Sequence, residues 1–546
     1  MTLSLLPHQQ TERLITLPYS NYYDLLKTHT ERDPGRTFLL FPETGREYTY
    51  WQFFLIALTA TDWLTVVAPG QKTVAVVLRN TPEFLAIYFG AVFLGMTVVP
   101  INPDLATREI RFIVENSEST TVFYDPAFKP KLADLADEMA PAVRFVSFGD
   151  VVDLPKVDVL GVEARLPRVE PNTPAAIIYT SGTTGNPKGV VLSHMNFLAD
   201  GMAVSEWFQF TPDTRSLCIL PLFHNNGLVM SLTTTLYRGG SIVWTDPKSS
   251  LRSFWPLVEK YHCTFTSVMP SVLAAILAFG LEGRRSSLKG IICGGQLLPL
   301  SLAEQFEARF GVPIFEGFGS TEASSYSSFN PYPAEHRKLG SVGKVLPVCE
   351  MKVVDEADNE VPDGTEGELC IRGINVAIGY LQLPELQKLR FRNGWYHSGD
   401  YGYREADGFY YFRGRKDDLI VKGGEKIYPA EVENVLSLHP NVAESAVVAI
   451  DDAILGQDIC AFVRLRDSSA SDEAELLEYC AKSLARFKQP RQIIISNRLS
   501  DMPELPKGPT KKILHRELRD YYENRLARNT GDRESPKLVL KTQEHR

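Results

Sequence analysis

The sequence has little cysteine and no excess of basic residues. Its 546 residues include seven cysteines, which are dispersed and show none of the paired spacing of a zinc site. An odd, scattered set of this kind is typical of reduced thiols in a cytoplasmic protein and argues against a disulfide framework. Lys and Arg number 57 against 66 Asp and Glu, a formal net charge of −9, which argues against a nucleic-acid-binding protein.

The sequence also lacks the long apolar runs that mark membrane and secreted proteins. Residues 1–7 have neither the basic flank nor the apolar core of a signal peptide. The most apolar stretch, 84–100, contains Gly90 and Gly95 and is short for a membrane span. It predicts instead a buried helix that leads into a strand. The overall composition, 44% hydrophobic and 23% charged, is typical of a soluble globular protein with more than one domain.

What the sequence contains is an alternation of strand and helix patterns. Apolar strand patterns at 73–78, 98–101 and 121–124 are separated by helical patterns over 82–94 and 109–116. This alternation predicts the α/β class, with a large N-terminal domain of mostly parallel sheets between helices. Glycine-containing hairpin patterns later in the chain predict a β-barrel-like subdomain, and strand and helix patterns after residue 445 predict a small α+β domain.

A loop rich in glycine and hydroxyl groups lies between two predicted strands. Residues 179–189 are Tyr-Thr-Ser-Gly-Thr-Thr-Gly-Asn-Pro-Lys-Gly. Glycines let several backbone N–H groups approach one anion, hydroxyls add donors and Lys188 adds positive charge, so the loop predicts a phosphate site. A Walker loop is excluded, because Pro187 and Gly189 stand where that pattern needs Gly and Ser or Thr. The alternative is a polar hairpin turn.

This loop resembles the signature loop of the acyl-adenylate-forming superfamily, which includes acyl-CoA synthetases, adenylation domains and beetle luciferases. Further motifs follow in the family's order over roughly residues 45–520. The resemblance implies that the loop binds ATP through Thr180, Ser181, Gly182, Thr183, Thr184, Gly185 and Lys188.

A second motif, Leu-Pro-Leu-Phe-His-Asn-Asn-Gly at 220–227, follows a predicted strand end. Taken alone, its histidine is more typical of a core or capping residue. In the resembled family an aromatic-His pair lies here beside the acyl carboxylate, and amino-acid-activating domains carry an Asp. This chain has no Asp here, which favours an acid without an α-ammonium group, since an unpaired Asp beside an uncharged acyl chain would be costly. The resemblance implies an acyl pocket formed by His224, Asn225, Asn226, Met230 and Gly294, with Asn226 able to hydrogen-bond a polar substrate group.

Residues 314–323, Ile-Phe-Glu-Gly-Phe-Gly-Ser-Thr-Glu-Ala, form a third motif. An aromatic ring can lie against adenine, a Thr hydroxyl can bond a phosphate, and a Glu carboxylate suits Mg²⁺. A helix N-terminus capped by Ser or Thr is the alternative, and both can hold. The motif resembles the family's Gly-Tyr-Gly-x-Thr-Glu, with Phe in place of Tyr. The resemblance implies catalytic roles for Thr321, Glu322 and His224, Mg²⁺ binding by Glu322, and nucleotide contacts from Gly295, Gly317, Phe318 and Gly319.

The densest match covers residues 411–433 and follows Asp400, which is predicted to lie in a turn. The resemblance implies that Asp400 and Arg415 bind ribose and that Asp417 is a hinge between domains. It also implies that Gly423 and Gly424 approach the thiol substrate. The predicted domains are therefore 1–416, with the ATP and acyl sites, a mobile lid domain at 417–522, and a disordered tail at 523–546.

The last motif, at 505–518, resembles the family's closing motif, whose lysine catalyses adenylation. The matching residue is Lys512. The chain departs from the pattern at Gly508, where Thr is frequent, and at Lys511, which replaces Gly. Lys511 is therefore the rival assignment.

Together these motifs predict an AMP-forming acid–thiol ligase. It would activate a carboxylic acid with ATP and Mg²⁺ and transfer the acyl group to coenzyme A. The first alternative is a stand-alone enzyme that loads the phosphopantetheine of an acyl or peptidyl carrier protein. The second is a non-catalytic protein that responds to nucleotide. The acid itself, the oligomeric state and the pathway are left open.

Overall fold

The computed structural model describes residues 5–12, 15–148, 157–180, 187–279, 287–452, 454–468, 470–508 and 513–526. The chain divides into two compact units. One comprises Met1–Ser398 and Gly402–Phe412, and the other comprises Gly399–Tyr401 and Arg413–Arg546. The predicted boundaries at 416/417 and 522/523 stay predictions.

The strands of the first unit build its sheets, and the last two of them continue into the second unit. In chain order they are β1 (Thr37–Phe41), β2 (Arg46–Thr49), β3 (Thr73–Val77), β4 (Thr97–Pro100), β5 (Thr121–Tyr124), β6 (Arg144–Ser147), β7 (Pro174–Thr180), β8 (Lys188–Ser193), β9 (Arg215–Cys218), β10 (Ser241–Trp244), β11 (Phe265–Val268), β12 (Gly290–Cys293), β13 (Ile314–Phe318), β14 (Ser328–Phe329), β15 (Lys344–Val345), β16 (Cys349–Val354), β17 (Gly367–Gly373), β18 (Gly379–Tyr380), β19 (Phe391–Arg392), β20 (Trp395–Arg404) and β21 (Tyr410–Arg415).

Helices connect these strands. They are α1 (Tyr22–Arg32), α2 (Tyr50–Val67), α3 (Pro82–Phe93), α4 (Thr107–Asn116), α5 (Lys129–Met139), α6 (Val159–Arg165), α7 (His194–Trp207), α8 (Thr234–Tyr237), α9 (Pro247–Tyr261), α10 (Pro270–Ala278), α11 (Leu300–Phe310) and α12 (Pro384–Arg390). A π-helix, Asn226–Thr233, precedes α8. Within the described ranges, no helix combines the length and the apolar character needed to cross a bilayer.

Over the described residues, the first unit has two large sheets. The nine-stranded sheet has the order β15-β14-β13-β12-β11-β9-β10-β1-β2, and its strands from β13 to β1 are parallel. The seven-stranded sheet has the order β18-β8-β7-β4-β3-β5-β6, parallel from β7 to β6. A third sheet has the order β16-β17-β20-β19, with β21 on β20. The predicted α/β architecture is confirmed.

The apolar run that predicted a buried helix forms α3. Thr81 begins this helix by accepting a hydrogen bond from the Phe84 N–H, and Pro82 occupies its first turn. Every residue from Phe84 to Phe93 is buried, so the helix is apolar on all sides because it lies inside the core. Each large side chain buried there stabilises the fold by about 1.5–3 kcal/mol.

The second unit is the predicted small α+β domain. Its strands are β22 (Ile420–Lys422), β23 (Glu425–Ile427), β24 (Val442–Asp452), β25 (Gly456–Leu465) and β26 (Gln492–Ile495), and its helices are α13 (Pro429–Ser437), α14 (Glu473–Ser483) and α15 (His515–Tyr521). The sheet order is β23-β22-β25-β24, with β26 parallel to β25. A helical turn covers Tyr522–Leu526, and the rest of the predicted tail lies outside the described residues.

Candidate active site

Most predicted site residues of the first unit follow the carboxyl ends of parallel strands in the nine-stranded sheet. Gly294 and Gly295 follow β12, Phe318 ends β13, and His224 lies a few residues after β9. The strands β9, β11, β12 and β13 are successive neighbours in that sheet. Because carboxyl ends of parallel strands meet at one edge, the topology brings these residues to the edge where α/β proteins bind ligands.

The strands β7 and β8 hold both ends of the predicted phosphate loop. They are antiparallel, and Thr180 lies opposite Lys188 at the base of the loop. The hydroxyl of Tyr179 donates a hydrogen bond to Asn116 Oδ1 at 2.7 Å, which fixes the end of β7 against α4. The loop residues between them, Ser181, Gly182, Thr183, Thr184 and Gly185, lie outside the described residues.

Glu322, the predicted magnesium ligand, lies in the 3₁₀ turn Thr321–Ala323 directly after β13. Its Oε1 accepts a hydrogen bond from the Tyr380 hydroxyl at 2.7 Å. Burial raises the pKa of Tyr380, and the Glu322 charge acts in the same direction, so the phenol stays protonated and donates. Tyr380 was not predicted as a site residue; it reaches Glu322 from β18, which pairs with β8.

The Glu322 turn is held by the segment that leads into β18. The Ala377 N–H donates to the Glu322 carbonyl at 2.8 Å, and the Asn375 amide donates to the Tyr326 carbonyl at 3.3 Å. Ser324 has a φ of +63°, a strained value for a residue with a side chain. Its hydroxyl donates to the Asn375 carbonyl at 2.6 Å. These contacts fix the backbone that carries the carboxylate.

The alternative reading of this motif, a capped helix start, is only partly met. A short 3₁₀ turn does begin at Thr321, but Ser320 at its N-cap makes no capping hydrogen bond. Ser320 Oγ is buried without a partner in the described structure. The Ser320 hydroxyl therefore does not cap this turn.

The segment before His224 is fixed by a buried asparagine. Asn80 donates to the Leu220 carbonyl at 2.9 Å and accepts from the Leu222 N–H at 2.9 Å. The His224 ring lies edge-on to Phe223, with ring centroids 4.7 Å apart. Asn80 was not predicted, because its role depends on contacts more than a hundred residues away in the chain.

The acyl-side residues contact the Glu322 turn directly. The Asn225 side chain donates to the Thr321 carbonyl at 3.3 Å. It immediately precedes the π-helix Asn226–Thr233, and such helices occur frequently at functional sites. Two motifs that are about a hundred residues apart in the sequence therefore contact each other.

Tyr326 lies beside the other predicted acyl residues. The Asn226 side chain donates to the Tyr326 hydroxyl at 3.2 Å, and Met230 is buried. A side chain at Gly294 would overlap the Tyr326 phenol, so this glycine makes room for the tyrosine. The Tyr326 N–H donates to Asp200 Oδ2 at 3.2 Å, and burial raises the pKa of Asp200 well above its ordinary range.

The predicted adenine residues form a tight hairpin. Phe318 is 7% exposed and stacks on Phe412, with centroids 5.9 Å apart and planes 26° apart. A side chain at Gly319 would overlap the Ser325 carbonyl, and one at Gly317 would overlap a neighbouring ring. Hairpin packing therefore requires both glycines, whatever their part in nucleotide binding. At Gly295, by contrast, a Cβ would meet nothing within 4 Å.

In the second unit, the two predicted ribose residues lie together. Arg415 Nε is 3.4 Å from Asp400 Oδ1, and the Asp400 side chain is 14% exposed against 53% for Arg415. The prediction of a turn at Asp400 was wrong. Residues 395–404 form one continuous strand, β20, which pairs with β21, and the chain turns back only after Arg404.

The other predicted residues of the second unit are the hinge residue, the two glycines and the lysine pair. Asp417 is exposed in the 3₁₀ turn Lys416–Asp418. Gly423 and Gly424 have φ values of +59° and +89° and form the turn between β22 and β23, a conformation that favours glycine. Lys511 and Lys512 lie outside the described residues. The functional roles of all five stay predictions.

The carboxylates present fit a magnesium ion that arrives with a nucleotide. Across the part of the chain that the structure describes, no group of three or more His, Cys, Asp or Glu side chains is placed to hold a metal ion. Mg²⁺ does not need such a group, because it keeps several waters and binds through one or two carboxylates and substrate phosphates. Glu322, oriented by Tyr380, supplies one such carboxylate.

Comparison with known proteins agrees with these motifs. Residues 26–381 match the family model of AMP-binding enzymes, and residues 431–526 match that of the AMP-binding enzyme C-terminal domain. A sulfoacetate–CoA ligase of Cupriavidus necator is 33% identical over 493 residues, which are 90% of this chain and 95% of that protein. A 2-succinylbenzoate–CoA ligase of Bacillus cereus is 33% identical over 456 residues, which are 83% of this chain and 89% of that protein.

A solved structure gives the same result. The o-succinylbenzoate–CoA synthetase of Bacillus subtilis, in complex with ATP and magnesium ion, matches with a TM-score of 0.79 and 28% identity, over 90% of this chain and 98% of that chain. The superfamily resemblance of the sequence motifs is confirmed, and the chain belongs to the AMP-binding enzyme family.

Proposed function

We propose that this chain is an AMP-forming ligase that joins a carboxylic acid to coenzyme A at the expense of ATP. The observation that carries the proposal is the contact between the acyl-side residue Asn225 and the turn that bears Glu322. This contact supports the proposal because the predicted acid-binding residue and the predicted ligand of Mg·ATP then belong to neighbouring segments. The relatives named above, which are acid–CoA ligases, support coenzyme A as the acceptor.

In the first half-reaction, a carboxylate oxygen of the acid bonds to the α-phosphorus of ATP, and pyrophosphate leaves. The barrier is the build-up of negative charge, so catalysis consists of positioning and electrostatic stabilisation. The loop from Thr180 to Lys188 would hold the phosphate oxygens, and the Thr321 hydroxyl would donate to them. Magnesium, when bound, neutralises phosphate charge, and Glu322 would hold it. Lys512 is the proposed cation for the α-phosphate and the carboxylate.

In the second half-reaction, the sulfur of coenzyme A bonds to the acyl carbon and the bond to AMP breaks. We assign the Gly423–Gly424 turn to the approach of the thiol, because it presents backbone without side chains. Asp417 is the proposed hinge about which the second unit would rotate. The rotation would withdraw Lys512 from the reacting groups and bring the Gly423–Gly424 turn to them. Asp400 and Arg415 would bind the ribose hydroxyls.

We also place the protein in the cytoplasm. All seven cysteines lie in described residues, and each is buried and unpaired. Buried cysteines that form no disulfide bond are typical of proteins in a reducing compartment.

Hydroxamate trapping over a panel of carboxylic acids tests the proposal. Purified protein with Mg·ATP and hydroxylamine should form acyl hydroxamate and AMP with at least one acid. Coenzyme A and a phosphopantetheinylated carrier protein should then be compared as acceptors. Acyl transfer only to the carrier protein would move the enzyme to the alternative function, and nucleotide turnover that yields ADP would contradict the proposal.

A further inference from the structure

Buried polar atoms without partners collect beside the predicted acyl residues. Among the described residues, Asn225 Oδ1, Asn226 Oδ1 and Ser267 Oγ are buried and make no hydrogen bond. Buried polar groups in native proteins are nearly always hydrogen-bonded, so each exception calls for a ligand or another explanation. These three lie on the segment after β9 and on β11, strands that are neighbours in the sheet.

The orientation of Asn225 defines which kind of partner is missing. Its amide nitrogen donates to the Thr321 carbonyl, which can only accept. The oxygen of the same amide is therefore the unpartnered atom, and it requires a donor. The Asn226 nitrogen is bonded to the Tyr326 hydroxyl, which leaves a second amide oxygen in the same state.

Tyr326 limits how long the acid can be. Its hydroxyl lies against Gly294, its N–H is bonded to Asp200, and it is 3% exposed. Burial raises the pKa of this phenol, and the Asn226 side chain donates to its hydroxyl. The phenol thus occupies the space beyond the end of β12, and a long alkyl chain would have to displace it.

We propose that this site selects a short carboxylic acid that carries a hydrogen-bond donor, a hydroxyl or amino group, facing Asn226, Ser267 and Tyr326. This inference rests on the proposed function and adds the class of acid. A site built to hydrogen-bond a substrate rejects an isostere without the donor, because the buried polar groups then stay unpaired. A methyl group in place of the hydroxyl has similar size and cannot donate.

Matched acids test this directly. Two sets suffice: benzoate with its hydroxy and methyl derivatives at each ring position, and propanoate with butanoate and the hydroxypropanoates. With ATP, Mg²⁺ and coenzyme A, kcat/KM for AMP release should be about tenfold or more higher for the best hydroxylated acid than for its methyl isostere. Equal kcat/KM values would overturn the inference and leave the proposed function standing. AMP release with none of the acids, and none with a broader panel, would overturn both.

Two variants test which residues cause the preference for the hydroxylated acid. Asn226→Leu keeps a similar volume and should lower the ratio of kcat/KM for the hydroxylated acid to kcat/KM for its methyl isostere by about tenfold. Tyr326→Phe should lower the same preference while it retains the ring, and it serves if the first variant fails to fold. Asn359→Leu, at an exposed turn between β16 and β17, is the matched control and should keep the native preference. An unchanged preference in a folded Asn226→Leu and in Tyr326→Phe would overturn the inference.

Discussion

A single hydroxyl orients the predicted metal ligand, since Tyr380 donates to Glu322 at 2.7 Å. Tyr380→Phe removes this donor and retains the ring. We expect kcat/KM for AMP release to fall about tenfold, the effect of losing one charge-assisted hydrogen bond, and the Mg²⁺ concentration for half-maximal rate to rise. A magnesium titration of AMP release measures both. Tyr261→Phe, at the end of α9, is the control, and a titration unchanged in Tyr380→Phe would contradict the assignment.

Another residue makes the fold sensitive to pH. Burial raises the pKa of Glu316 from 4.5 to about 8, and its carboxyl accepts a hydrogen bond from the Leu298 N–H at 3.1 Å. The folded protein thus holds a proton that the unfolded chain releases, so the free energy of unfolding falls as pH rises from about 4.5 to about 8. Glu316→Gln mimics the neutral acid and should remove this fall, a difference on the order of a few kcal/mol at pH 8.

Urea unfolding followed by tryptophan fluorescence suits this measurement. All six tryptophans of the chain lie in the first unit, which contains Glu316. Native protein and Glu316→Gln should have similar midpoints near pH 5 and diverge towards pH 8, with the variant more stable. Parallel curves across that range would show that Glu316 is ionised in the folded state.

At the scale of single residues, the sequence identifies functional residues that belong to a local motif. Glu322 and Asn226 could be predicted because their neighbours in the chain identify them. Tyr380, Asn80 and Tyr326 could not, because each acts through a contact with a residue more than fifty positions away or through the packing of a neighbouring strand. Ser324 gave no signal, since a positive φ at serine is imposed by its surroundings.

At the scale of elements, the hairpin β13–β14 carries the Phe318 motif and depends on close packing. A Cβ at Gly319 would overlap the Ser325 carbonyl, whereas one at Gly35 would meet nothing within 4 Å. Gly319→Ala should therefore displace the hairpin and abolish most AMP release, with a loss of stability of about 3 kcal/mol or more. Gly35→Ala should change stability by less than about 1 kcal/mol.

Thermal unfolding and AMP release of the two alanine variants provide the comparison. A fully active, normally stable Gly319→Ala would mean that the hairpin can shift without consequence for the site. The hairpin would then be adaptable, and the fixed positions of Phe318 and Glu322 could not be part of catalysis.

Helices and strands with strong local sequence patterns have bounds close to those predicted. The strand predicted at 121–124 has those bounds, and α3, predicted over 82–94, ends one residue earlier. The prediction of a turn at Asp400 was wrong because the local composition does not show that this segment is part of a strand that pairs with β21. The π-helix Asn226–Thr233 was also beyond prediction, since its apolar run is equally compatible with an ordinary helix.

At the scale of the whole molecule, the two half-reactions are proposed to depend on different parts of the chain. Lys512→Ala should lose most ATP–pyrophosphate exchange and keep much of the thiolation of preformed acyl-adenylate, because the lysine neutralises charge only in the first step. Lys511→Ala is the matched control and should keep both activities. Equal loss of both activities in Lys512→Ala would contradict the division, and loss confined to Lys511→Ala would transfer the role to that residue.

The most direct test of the proposed acyl-adenylate intermediate follows one oxygen atom. A substrate acid labelled with ¹⁸O in its carboxylate is incubated with the enzyme, Mg·ATP and coenzyme A, and the products are analysed by mass spectrometry. If an acyl-adenylate forms, the attacking carboxylate oxygen stays on the α-phosphorus when the thiol displaces AMP. We expect AMP that carries one labelled oxygen, in amounts equal to the acyl-CoA formed. Unlabelled AMP, or label in inorganic phosphate alongside ADP, would contradict it.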